Sequence, residues 1–161
     1  MGEIVEFASN GHGASGYLAV PDSGGIPRAV AEQVLIAPFN DPDAVASLLA
    51  EHADIAAIIV EPLQRIIPPA PGFLAGLRAL CDRHGVLLIF DEIVTGFRLA
   101  YGGAQERYGV IPDICTLGKI IGGGFPLAAV AASAEIMRYF DKSAVPRDAW
   151  LMQLGTLSGN P

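Results

Sequence analysis

The chain is poor in cysteine and in positive charge, and it has no apolar run long enough to cross a bilayer. Its 2 cysteines, Cys81 and Cys115, sit in different segments. That spacing excludes a disulfide framework or a cysteine zinc site and suits a reducing compartment. Lys and Arg total 10 against 17 Asp and Glu, a net charge of −7 with no basic run. Nucleic acid is therefore not an expected partner. His12, His52 and His84 lack metal-ligand spacing, so no metal is expected. The longest apolar stretch, around Pro126 to Ala132, is too short for a membrane span. Glu3 and Glu6 stand where a secretion signal would be basic. These absences predict a soluble, cytoplasmic protein with no membrane partner. What is present is a core: 52% of the 161 residues are apolar and 17% charged, a balance that fits a buried α/β sheet.

Residues 1–32 are rich in Gly, Pro and Ser, with Pro21-Asp22-Ser23-Gly24-Gly25 a strong turn signal. They read as an irregular segment. From residue 33 to 161 the pattern changes to alternating strands and helices. Val34–Ala37 reads as a strand, and Asn40 can cap a helix from Asp41 to about His52. Ala56–Val60 reads as the next strand, Val86–Phe90 as a third, Ile114–Leu117 as a fourth and Leu127–Ala132 as a fifth. Leu74, Leu77, Leu80 and Cys81 recur at helical spacing before a stop at Gly85, and Ser133 caps a helix holding Ile136 and Met137. Near-continuous apolar strands predict burial on both faces, and their alternation with helices predicts an α/β fold with a mostly parallel sheet.

Ligands of such sheets sit beyond the carboxyl ends of the strands. Glu61, Asp91 and the segment Thr116-Leu117-Gly118-Lys119 all fall at such ends. An acid and an amine placed this way suit a cofactor that needs one group on a ring nitrogen and another on an aldehyde, which is pyridoxal 5'-phosphate (PLP). An aspartate on the pyridine nitrogen keeps it protonated, so the ring accepts electrons from a neighbouring carbanion. A lysine condenses only as the free amine, a form that burial and a nearby cationic ring favour. Gly122-Gly123-Gly124 would tolerate positive φ behind it. Gly118-Lys119 is not a P-loop, because Ile120 follows the lysine and Asp113 occupies the position of the leading glycine.

The long motif Phe90-Asp91-Glu92-Ile93-Val94-Thr95-Gly96-Phe97-Arg98, with Tyr101-Gly102-Gly103, Pro112-Asp113 and Thr116 to Pro126 after it, resembles the class III aminotransferases of PLP fold type I. Gly96-Phe97-Arg98 and the closing Gly155-Thr156-Leu157-Ser158-Gly159-Asn160-Pro161 are similar to the glutamate-1-semialdehyde aminomutases. The similarity runs from about Pro21 to Pro161. It implies that Asp91 pairs with the pyridine nitrogen and that Lys119 forms the Schiff base. It also implies that Ile93 packs on a ring face, and that Thr156 reaches the phosphate of a cofactor across a homodimer interface.

Gln64, in Glu61-Pro62-Leu63-Gln64, resembles the glutamine that bonds the ring hydroxyl in amine-transferring relatives. The aminomutases differ there, and the loop to Gly72-Phe73 is about three residues shorter. Two activities on small amino or keto substrates stay open: an internal amino-group exchange, or transfer from an amine to a keto acid. The family's large domain begins earlier and is followed by a small domain, so the resemblance implies a partial large domain. An inactive remnant that serves only in assembly is the third expectation.

Overall fold

The computed structural model describes residues 3–9, 12–18 and 33–153. Six strands form one sheet in simple sequence order. β1 (Glu3–Ser9) and β2 (His12–Leu18) are antiparallel, and β2 runs parallel to β3 (Ile55–Val60). β4 (Leu87–Asp91) and β5 (Ile114–Leu117) continue in parallel, and β6 (Ala129–Ala132) closes the sheet antiparallel to β5. The expected α/β, mostly parallel architecture is thus observed. The segment 1–32, by contrast, was expected to be irregular and instead contributes two strands. The Gly- and Ser-containing β2 is a strand that residue propensities do not favour, whereas Ile4, Val5 and Phe7 of β1 are strand-forming residues that the Gly- and Pro-rich surroundings masked.

α1 (Pro42–Glu51) and α2 (Phe73–His84) cover one sheet face. They are followed by α3 (Gly103–Tyr108) and α4 (Ala134–Met137), with a 3-10 turn at Lys119–Gly122. α1 begins at a proline, whose fixed φ suits the first helical position. The cap is Asp41, not Asn40: the Asp41 carboxylate accepts the Ala44 amide at 2.9 Å. Asn40 lies in the left-handed region at φ 68 and is occupied elsewhere. Its amide group donates to the Pro68 carbonyl at 3.2 Å and accepts from the Ala70 amide at 2.7 Å, which ties down the proline-rich loop. α2 stops where predicted, at Gly85 with φ 69.

The core joins Val45 and Leu49 of α1, Phe73, Leu74 and Leu77 of α2, and Ile58, Val60, Leu88 and Phe90 of the sheet. Phe39 meets Phe73 edge-on, with ring centroids 5.1 Å apart. Burying a Leu or Phe side chain contributes about 1.5–3 kcal/mol. Burial on both sheet faces is not what forms. On β4, Leu88 and Phe90 are 0% exposed while Leu87 is 37% exposed, so covered and uncovered positions alternate with the pleat.

The predicted strand Val34–Ala37 has no place in the sheet, because β3 is already flanked by β2 and β4. Its Ala37 instead enters the core from irregular chain. The fifth predicted strand shortens to Ala129–Ala132, since Leu127 is held in a turn by a bond from its amide to the Phe125 carbonyl.

Candidate functional site

The carboxyl ends of β3, β4 and β5 lie side by side, with Val60 paired to Phe90, Phe90 to Cys115 and Asp91 to Thr116. Gln64, Asp91 and Lys119 follow these ends, and the topology brings the three to one edge of the sheet. Asp91 shares the parity of Leu87 and Ile89, so it emerges on the face that α1 and α2 do not cover. Its Oδ1 accepts the Ile93 amide at 3.1 Å, an Asx turn that bends the chain as the strand ends. The same oxygen accepts the Thr116 hydroxyl at 3.1 Å. Oδ2 takes no hydrogen bond among the described residues.

Lys119 opens the 3-10 turn at φ 49, a left-handed conformation unusual for a residue with a side chain. It is exposed and makes no ion pair among the described residues. The burial expected for this lysine is therefore not supplied by the described chain. Gly123 and Gly124 behind it carry φ of 55 and 102, so this glycine run does use positive φ. Ile93 is half-buried, and its γ-carbons lie 3.4 and 3.5 Å from where a Cβ on Gly118 would sit. The Asp91 turn and the lysine loop are thus in contact. Gln64 is half-buried in the β3–α2 loop, with a bridge to Ile67. Thr156 lies outside the described residues.

Sequence reasoning overlooked Glu92, which is 1% exposed. Its Oε2 accepts the Thr95 hydroxyl at 2.9 Å and the Ala104 amide at 2.6 Å. Its Oε1 accepts the Gln105 side-chain amide at 3.0 Å and the Gln105 backbone amide at 3.4 Å. Glu92 thereby caps α3 from outside the helix, filling orphan donors and placing negative charge at the positive helix end. No local pattern marked it, because its partners Ala104 and Gln105 lie twelve and thirteen residues further along the chain.

Asp113 works at the opposite end of β5. It accepts both the Leu88 amide and an Arg78 guanidinium N–H at 2.7 Å. Burial works against the Arg78 charge, but Asp113 and Asp82 outweigh it and hold its pKa above the ordinary value. Burial also pushes the Cys81 thiol up to about 12 and raises Cys115.

A cleft of about 390 Å³, lined by Gln105, Asp113, Cys115 and Ser133 among others, lies apart from this edge and includes none of Asp91, Ile93 or Lys119. No cluster of metal-ligating side chains occurs among the described residues, and no helix among them is long and apolar enough to cross a membrane.

Solved structures that share this arrangement are fold type I PLP transaminases. An omega-transaminase from Sphaerobacter thermophilus superposes with a TM-score of 0.77 at 39% identity, covering 94% of this chain and 34% of that one. A glutamate-1-semialdehyde-aminomutase lysine-to-alanine variant from Pseudomonas aeruginosa PAO1, in complex with PMP, gives 0.66 at 34% identity, covering 94% and 32%. The chain belongs to the class III aminotransferase family, whose model matches residues 7–161. It is 50% identical over 159 residues to the glutamate-1-semialdehyde 2,1-aminomutase of Nitratidesulfovibrio vulgaris (strain DP4). That match covers 96% of this chain and 36% of the relative, so the chain spans about a third of its length.

Proposed function

We propose that this chain is the lysine-bearing part of the large domain of a PLP-dependent enzyme that moves amino groups. The observation that carries the reading is the pairing at adjacent strand ends of Asp91, with Oδ2 open, and Lys119, with no ionic partner among the described residues. These residues fit PLP: Asp91 would hold the ring nitrogen, Lys119 the aldehyde and Ile93 a ring face. Gln64 would reach the ring hydroxyl, and Thr156 the phosphate of a partner copy. When bound, the cofactor supplies an electron sink for the bond broken at the amino-bearing carbon.

Asp91, as a carboxylate, would keep the proton on the ring nitrogen. The Lys119 amine, once displaced by substrate, would take and return a proton at that carbon. Gly123 and Gly124, both at positive φ, would let the backbone behind the lysine adjust during that exchange. Borohydride reduction after adding PLP, followed by peptide mapping, should label Lys119. Label mainly on Lys142, the other lysine, would refute the assignment.

For the reaction of the complete protein we favour internal amino exchange on glutamate-1-semialdehyde, supported by the 50% identity to an aminomutase. Formation of 5-aminolevulinate is the test. Transfer from an amine to a keto acid is the second reading, favoured by Gln64 and by the 0.77 superposition on an omega-transaminase. Rapid turnover of amines with a keto acid and no 5-aminolevulinate would select it. A chain that never captures PLP would select the inactive remnant. A cytoplasmic homodimer is the expected state, supported by buried, unpaired Cys81 and Cys115 and by the prevalence of two-fold assemblies.

A further inference from the structure

Asp91 is held through one oxygen only, and the two donors on that oxygen come from different places. The Ile93 amide belongs to its own turn, whereas the Thr116 hydroxyl belongs to the neighbouring strand. A single donor would leave the carboxylate free to swing, because its last torsion is broad and roughly two-fold. A second donor from across the β4–β5 pair fixes the plane and so fixes where Oδ2 points.

Thr116 is suited to this. It is β-branched, so its own χ1 is restricted, and it sits directly opposite Asp91 in the parallel register. Its backbone carbonyl accepts the Glu92 amide at 3.0 Å, so main chain and side chain grip both residues where β4 ends. Lys119 lies one short stretch further along the same segment.

We propose that Thr116 is a positioning residue: with the Ile93 amide, its hydroxyl aims the Asp91 carboxylate and keeps it in register with the segment that carries Lys119. The inference rests on the PLP reading above, and it concerns a side chain that the reading itself does not use. A strand threonine that merely fills space would act through its methyl group and would be indifferent to the identity of residue 91. The two roles therefore separate by experiment.

PLP is titrated by absorbance into the purified chain and into Thr116→Val, Thr116→Ser, Asp91→Asn and the Asp91→Asn/Thr116→Val pair. Bound-cofactor spectra are followed across pH, and the borohydride-stable label is mapped. Thr116→Val should weaken PLP binding about tenfold, or ~1.4 kcal/mol, and shift the pH at which the spectrum changes, with the label still on Lys119. Thr116→Ser should stay within about twofold of the unaltered chain. In the Asp91→Asn background, Thr116→Val should add less than about twofold, because the oriented charge is already gone.

An unchanged Thr116→Val, or the same loss with and without Asp91, overturns the proposal. If Thr116→Val does not fold, Thr116→Ser is compared with Thr116→Ala: both lack the methyl group and only alanine lacks the hydroxyl. Equal behaviour of that pair overturns it as well. Label on Lys119 with no Thr116 effect removes this inference alone, whereas no capture of PLP by the unaltered chain removes the cofactor reading and this one together.

Discussion

Replacing Glu92 tests whether one buried carboxylate holds the segment between β4 and α3. Its oxygens serve the Thr95 hydroxyl, the Ala104 amide and two N–H groups of Gln105. Glu92→Leu has similar bulk but accepts nothing, so the buried Ala104 amide and Thr95 hydroxyl lose their acceptor. Each orphaned buried group costs about 1–3 kcal/mol, and loss of charge at the helix N-terminus adds ~0.3–1 kcal/mol. The sum is a destabilisation of about 2–7 kcal/mol.

Glu92→Gln keeps one acceptor oxygen for Ala104 and Thr95. Its new NH₂ then faces the Gln105 donors, and the Gln105 side-chain amide can flip to accept it. Only the backbone bond at 3.4 Å is then without an acceptor, so about 1–2 kcal/mol is expected. For a chain of this size that corresponds to roughly 2–8 °C in Tm. Urea unfolding of both variants is the assay, with unchanged m-values as the check on two-state comparison. A Glu92→Leu chain within about 1 kcal/mol of the unaltered one, or less destabilised than Glu92→Gln, would refute the capping role.

Gly103→Ala should cost about 2–4 kcal/mol in urea unfolding, because φ is +69 and a Cβ there would collide with the Glu92 carboxylate; a neutral result would mean that the loop relaxes freely. Asp113→Ala should cost about 2–3 kcal/mol by the same assay, since the Leu88 amide loses its acceptor and Arg78 loses a partly buried partner. Cys81, with its pKa pushed up to about 12, is protonated at pH 8 and should react with a thiol reagent only as fast as the chain opens. Its raised folded value means that its contribution to stability is intact below the unfolded thiol value of about 8.5 and falls as pH climbs from there towards 12; reaction within seconds at pH 8 would contradict the burial.

Strand and helix periodicity made the centre of the fold legible, because Ile114–Leu117 and the α2 stop at Gly85 depend on local pattern and glycine chemistry. Val34–Ala37 misled for a non-local reason: apolar chain reads as strand whether or not a sheet edge is free to receive it. Asn40 and Asp41 exchanged roles because a loop thirty residues away competes for the Asn40 amide. At the candidate site, Asp91 and Lys119 were visible from their strand ends. Thr116 and Glu92 were not, since their partners are set by register and by a turn that only the folded chain defines.

The Asn40 staple has a consequence for redesign. By gripping Pro68 and Ala70 it anchors the Gln64 loop from outside, independently of the strand ends that hold Asp91 and Lys119. A change in that loop's length is therefore expected to be tolerated best when Pro68 and Ala70, the two points that Asn40 grips, are carried with it.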